Sequence, residues 1–314
     1  MRLVKGLAVA AAAALALSAC GGSGGSSASG ATHVVKHAMG ETKVSDHPKK
    51  IVVLDTDKLD TLATLGLTPV GATVPDQQAG MPKYLGDGFG KVKSVGTTQQ
   101  PDVEAIAALK PDLILGSKFR MEKYYAQLSK IAPTVFTDKV GVTWKQNFLL
   151  DAEAVGEKAE GQQKLKAYED RAAQVGRSFG DPAKLKVSVI RFMPDEIRQY
   201  GPDSFSGIVL HDAGLSRPDA QLLKDKSDKR FAPLSPERID QADGDFVFVA
   251  AYGAKAANEQ AKVTAGPLWQ RLGAVKAGHA QVVDDEIWMT GIGPTAANKI
   301  LDDLTKYLGP LAKK

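Results

Sequence analysis

Two arginines and two tryptophans stand where an α/β chain would present them to a ligand. Arg120, in GSKFRMEKYYAQ, follows the strand-like run PDLILG, and Arg191 closes the run VSVIRF. Trp144 opens a long helical stretch, and Trp288 ends the run QVVDDEIW. A guanidinium offers fixed donors to anionic oxygens, and an indole offers a flat apolar wall. Parallel sheets bind ligands at the carboxyl ends of their strands, so the four side chains are expected to converge on one cleft. Each also has a plainer reading, an arginine in a surface ion pair or a tryptophan in the core.

Other chemistries fit less well. Ser204 and Ser206 in GPDSFSG lack the flanking glycines of a nucleophile elbow, and no serine motif comes with a preset His and Asp, so no catalytic group is expected. The segment from Gly291 to Ala296, GIGPTA, matches the dinucleotide pattern G-x-G-x-x-A. Only 18 residues follow it, which leaves no room for the next strand and its acidic residue. It is expected to be a turn that feeds the last helix through Pro294. His33, His37 and His47 crowd one alternating segment, where His33 and His37 are placed on an exposed edge. His211 and His279 have no partner at ligand spacing, so no metal site is expected. Basic residues number 40 and acidic 36, and removing Arg2 and Lys5 leaves 38 against 36. Such a balance argues against nucleic acid as a partner.

The elements that must position these side chains follow from the apolar pattern. KKIVVLD, TPVGAT, VKSVG, PDLILG and TVFTD read as strands, with helical spacing in KLDTLATLG, VEAIAALK and KYYAQLSKI between them. HVVKHAMGETKVS ahead of them reads as a hairpin. Between Trp144 and Phe179 no strand signal occurs, and the apolar positions keep to one helical face; a helix of about 30 residues would be roughly 45 Å long. Strands resume with LKVSVIRF, DFVFVAA and QVVDDEIWM. The expected fold is α/β, with two Rossmann-like lobes of mostly parallel sheet joined by one long α-helix and a ligand cleft between them. The lobes take residues 33–143 and 181–314, and the connecting helix takes 144–180. PDVEAIAALKPDLILG and SPERIDQADGDFVFVA align without a gap, so Glu104 and Glu237 each stand two before an isoleucine and eight before an aspartate that opens a strand. Alone, each glutamate is a first-turn carboxylate favoured by the helix dipole; the repeated offset is not demanded by propensity.

The start of the chain carries a different signal. Arg2 and Lys5 precede an apolar run of 11 residues, too short for a bilayer span of about 20. Leu17-Ser18-Ala19-Cys20 looks like a bacterial lipobox, and Cys20 is the only cysteine in the chain. Residues 1–19 are therefore expected to be an export signal, Cys20 the lipidation site, and residues 20–32 a flexible Gly/Ser tether. The alternative is an ordinary secreted protein with a stray thiol.

Together the lipobox, the two lobes on one long helix and the paired Glu104 and Glu237 resemble the substrate-binding lipoproteins of ABC importers for iron-siderophores, haem and cobalamin. The stretches GSKFRMEKYYAQLSKIAPTVF, VTWKQNF, VSVIRFMPDEIRQYGPDSFSGIVLHDAGLSRP and DDEIWMTGIGPTAANKILDDL are similar to the ferric hydroxamate, ferrioxamine-type branch. The resemblance implies a monomeric receptor on the outer face of the cytoplasmic membrane, with no intrinsic cofactor. Its ligand would be a ferric siderophore, held by Arg120 and Arg191 at the hydroxamate oxygens, with Trp144, Trp288 and Tyr252 lining the cleft. Glu104 and Glu237 would dock on the ABC permease dimer. Haem or cobalamin as ligand, or a lipid-anchored enzyme, are the alternatives.

Overall fold

A computed structural model describes residues 30–311, so the leader and Cys20 lie outside the described residues. The alternating segment pairs with itself as expected: β1 (Thr32–His37) and β2 (Gly40–Ser45) form an antiparallel hairpin with Ala38-Met39 at its tip. Its histidines are not on an open edge. His33 is half-buried, with Nδ1 2.8 Å from Asp46 and Nε2 2.8 Å from the Glu153 carbonyl; His37 meets the Thr42 hydroxyl at 2.9 Å. His33 pins the hairpin to the body through Glu153, and His37 does so by accepting the Phe136 N–H at Nδ1, 3.3 Å away, because a strand laid against a lobe buries the face that alternation alone leaves free.

The first lobe runs β3 (Ile51–Val53), α1 (Thr56–Thr64), β4 (Gly71–Val74), β5 (Lys93–Thr97), α2 (Val103–Ala108), β6 (Leu113–Ser117), α3 (Lys118–Met121), α4 (Tyr125–Leu128) and β7 (Thr134–Thr137). All five strands are parallel, in the order β5-β4-β3-β6-β7. The chain then forms α5 (Trp144–Ala154) and α6 (Lys158–Arg177). The second lobe adds β8 (Val187–Phe192), β9 (Ile197–Tyr200), α7 (Phe205–Asp212), β10 (Phe231–Leu234), β11 (Phe246–Ala251), α8 (Gly253–Ala265), α9 (Gly273–Lys276), β12 (Ala280–Val282) and α10 (Pro294–Leu308). Its sheet order is β10-β9-β8-β11-β12, with β9 antiparallel to both of its neighbours. In each sheet the first strand of the lobe is central, and the order reverses beside it. That reversal opens a crevice at the strands' carboxyl ends, between β3 and β6 in one lobe and between β8 and β11 in the other.

The repeated helix-into-strand unit has one physical job in both lobes. Asp112, just before β6, accepts the backbone N–H groups of Lys49 and Lys50 at 2.7 and 2.8 Å; Asp245, just before β11, accepts that of Lys186 at 2.7 Å. Each carboxylate thereby fixes the start of the central strand beside its own. The preceding segments differ, since Pro236–Ala242 is a 3₁₀ helix with a kink at Arg238 where α2 is α-helical.

The single helix expected over 144–180 is two helices. Gly156, at φ 83°, turns the chain between α5 and α6, and a β-carbon there would lie 1.8 Å from the Asp46 carbonyl oxygen. The linking helix α6 has 20 residues, or about 30 Å, and packs on α5, α7 and α10. Similarly, QVVDDEIWM yields only the short β12, and Glu286–Thr290 winds as a π-turn. Among the described residues, the buried apolar clusters at the core draw on residues between Val35 and Leu308. Gly156→Ala should destabilise the protein by about 2 kcal/mol or more in urea unfolding, because both its φ and the Asp46 contact must shift.

Candidate functional site

The two crevices face each other across one cavity of about 260 Å³, lined from the first lobe by loops after β3, β4, β5 and β6 and from the second by residues of β8 and β9 and segments after β11 and β12. Arg120, Arg191 and Tyr252 all line it, as expected, and Arg198 joins them. Arg198 was missed because β9 is four residues long and its partner β10 contains Pro233, which blunts the strand signal.

Each arginine is held by a carboxylate. Asp55, at the end of β3, caps α1 through one oxygen; its other oxygen accepts from Ser117 Oγ at 3.1 Å and from Arg120 Nε at 2.8 Å. This grip by Nε leaves the terminal nitrogens of Arg120 for a ligand, and the Asp55 charge raises the Arg120 pKa. Arg191 is buried and clamped by Asp285, with Nε to Oδ1 and Nη2 to Oδ2 both 2.6 Å. Burial disfavours its charge, yet Asp285 outweighs burial and the net shift is upward. The Tyr252 ring lies 4.6 Å from the Arg191 guanidinium. Arg198 pairs with Glu196 at 2.5 Å and lies 4.2 Å from the Phe231 ring.

Neither expected tryptophan lines this cavity. Trp144 is buried in the core, edge-on to Tyr168 at 5.2 Å and to Phe205 at 5.6 Å. Trp288 is also fully buried, packs on Phe248 at 4.4 Å and donates from Nε1 to Asp303 at 2.8 Å. Being the largest apolar groups near the lobe junction, they fill the core where α5, α7 and the π-turn meet the second sheet. A second cavity of about 330 Å³, lined from both lobes by Phe119, Val140, Val142 and Arg230, shares no lining residue with the first, and Phe119 in it is 59% exposed. Glu104 and Glu237 lie outside the cleft, exposed in the first turns of their helices.

The G-x-G-x-x-A segment receives a carboxylate from the protein itself. Asp60 on α1 accepts the backbone N–H groups of Thr295 and Ala296 at 2.9 Å each, and hydroxyls of Tyr84 at 2.8 Å and Thr64 at 3.3 Å. A β-carbon at Gly293 would lie 2.3 Å from Asp60, and one at Gly291 would lie 2.8 Å from the Tyr84 hydroxyl. The glycines thus make room for an internal carboxylate at the start of α10, where a phosphate would otherwise sit. Ile292 between them has φ 45° and lines the cleft, a strained conformation for a β-branched residue. Ser204 caps α7, accepting from the Gly207 N–H at 3.0 Å and donating to the Gly201 carbonyl at 2.7 Å.

Under the cleft, Lys58 is fully buried between Asp57 at 3.0 Å and Asp151 at 2.9 Å, joining α1 to α5. Burial pushes the Asp151 carboxyl up to about 7 against the pull of Lys58. Burial likewise pushes Asp60 up to about 7 against its donors. A folded pKa above the unfolded value of 3.8 means that the folded state holds the proton more tightly. The associated stability is present at acid pH and is lost as pH rises from about 4 through 7. Urea unfolding should therefore show stability falling between about pH 4 and pH 7, and Asp151→Asn should make that fall shallower.

Comparison with known proteins places this geometry. The periplasmic binding protein family matches residues 51–286. The probable siderophore-binding lipoprotein YfiY of Bacillus subtilis is 42% identical over 287 residues, covering 89% of this chain and 88% of that protein. The Fe(3+)-citrate-binding protein YfmC of the same organism is 29% identical, over 88% of this chain and 85% of its own length. The crystal structure of Staphylococcus aureus SirA complexed with staphyloferrin B superposes with a TM-score of 0.77 at 34% identity, covering 88% of this chain and 98% of that one.

Proposed function

The chain belongs to the periplasmic binding protein family, and from that premise we propose that it captures a ferric siderophore outside the cytoplasmic membrane and delivers it to an ABC importer. It is a solute-binding protein, not an enzyme. The observation that carries the ligand reading is the convergence of Arg120, Arg191 and Arg198 from both lobes, with Tyr252, on one cavity. Ferric iron wrapped in hard oxygens needs no ligand from the protein, and those oxygens still accept hydrogen bonds from guanidinium groups.

The finer reading is a hydroxamate such as a ferrioxamine. Its support is charge balance: Asp55, Asp285 and Glu196 each neutralise one arginine, and Asp76 adds a further carboxylate to the wall. Three hydroxamates neutralise ferric iron, so such a complex brings little net charge to a cleft whose three arginines already face four carboxylates. The exposed Phe119 beyond Arg120 suits the aliphatic arms. A second reading, a ferric carboxylate, is favoured by the likeness to SirA and to the Fe(3+)-citrate-binding protein.

Calorimetric titration with ferrioxamine B, ferric citrate, a ferric tricatecholate, haemin and cobalamin separates these readings. Heat from ferrioxamine B alone is the expected result; saturation by ferric citrate alone would replace hydroxamate by carboxylate, and saturation only by haemin or cobalamin would sink the siderophore reading. Arg120→Ala should weaken binding by about 1.5–3 kcal/mol, the range for hydrogen bonds to charged groups.

In this reading Cys20 carries the lipid, the receptor acts as a monomer, and Glu104 and Glu237 dock on arginines of the permease dimer. Replacing both glutamates by alanine should leave calorimetric affinity unchanged while cellular uptake of labelled ferric siderophore falls; a parallel loss of affinity would remove them from the docking role.

A further inference from the structure

At the amino ends of the first-lobe strands, opposite the cleft, a groove of about 360 Å³ is lined by Pro69, Val70, Val92 and Leu109 together with Lys50, Lys91 and Lys93. Lys49 adjoins it beside Lys50, and Lys110 follows Leu109 at the carboxyl end of α2. All five lysines are exposed, and none forms an ion pair among the described residues, whereas eleven other lysines do. Of the carboxylates near in sequence, Asp112 is occupied by the Lys49 and Lys50 backbone N–H groups, Asp46 meets His33, and Asp87 is exposed. In a chain whose charges almost cancel, this is a local excess of positive charge around an apolar floor.

The position of the tether gives that face an occupant. The tether expected over 20–32 is shorter in the structure: Ala31 accepts a hydrogen bond from the Asp46 N–H at 2.9 Å, and Thr32 opens β1. Asp46 stands four residues before Lys50, a stretch of at most about 14 Å. The eleven residues from Cys20 to Gly30 reach at most about 40 Å. A lipid on Cys20 would therefore keep this lysine face within a short leash of the bilayer. Lysines at a membrane surface are drawn to anionic headgroups, and a lipid chain combined with a polybasic patch makes a two-part membrane attachment.

We propose that the amino-end face of the first lobe is a resting surface for anionic lipid headgroups, with the lysines over phosphates and the groove over the headgroup–acyl boundary. The surface is separate from the cleft. The receptor would lie on its membrane between captures and leave that surface when its opposite, carboxyl-end face turns to the permease.

The test is vesicle flotation of residues 30–314, of which Ala31–Lys314 form one compact unit and which lack Cys20. Vesicles of equal parts phosphatidylglycerol and phosphatidylcholine should carry the protein, and vesicles of phosphatidylcholine alone should not. Raising salt from about 0.05 to about 0.5 M should weaken binding at least tenfold. Each lysine reversed should cost about fivefold or more, so Lys50→Glu, Lys91→Glu and Lys93→Glu together should cost about a hundredfold. A control triple on the second lobe, Lys262→Glu, Lys276→Glu and Lys299→Glu, should bind within about twofold of the parent. The proposal is overturned by no flotation with anionic vesicles, by equal flotation with neutral ones, or by equal loss in both triples. Calorimetry with ferrioxamine B on the same first-lobe variant should be unchanged, so failure of the cleft reading shows there and not in flotation.

Discussion

Four charged groups in and before one nine-residue helix hold this molecule together, and every one of them is buried. Asp55 caps α1 and orients Arg120 in the cleft; Lys58 bridges Asp57 to Asp151 on α5; Asp60 closes the start of α10. Removing such charges from water costs several kcal/mol each unless partners replace the hydration shell. Asp57 and Lys58 pair within α1, and the other partners come from β6, α3, β7, α5 and α10, so α1 can fold only where the first sheet, the linking helices and the last helix all meet it. The cleft and the junction of the lobes are consequently built on one short support.

The arginines follow the same rule on a smaller scale. A long side chain beside open solvent would sample many rotamers and lose that freedom on binding. Here Asp55, Asp285 and Glu196 hold the guanidiniums before any ligand arrives, in the geometry that a carboxylate imposes on the fork. The carboxylates also cancel the field of three cations in one cavity, leaving hydrogen-bond donation as the main offering.

Much of the scaffold was legible in the chain. β-branched runs spaced by helical stretches marked all the parallel strands, and the gapless repeat around Asp112 and Asp245 reported a shared strand-locking contact. Arg120 and Arg191 followed from their place at strand ends. What failed did so for definite reasons. Apolar periodicity runs smoothly through 144–180 because α5 and α6 bury the same kind of face; only the approach of Asp46 to Gly156 breaks them. Trp144 and Trp288 were drawn into the cleft because linear position cannot say which side of a sheet or helix a ring will fill. Arg198 was lost with the antiparallel β9, and the charges of α1 read like the wet face of an amphipathic helix.

What the sequence determined by itself was therefore the set of local structures and the ends at which a ligand could bind, since these depend on side-chain period, strand-forming residues and the rule that relates strand order to crevices. What only the tertiary structure decided was partnership. Which carboxylate holds which arginine, which indole is core, and which backbone N–H groups Asp60 satisfies depend on contacts between residues up to 236 positions apart. No local pattern encodes them, because a buried charge is tolerable only through neighbours that the fold supplies.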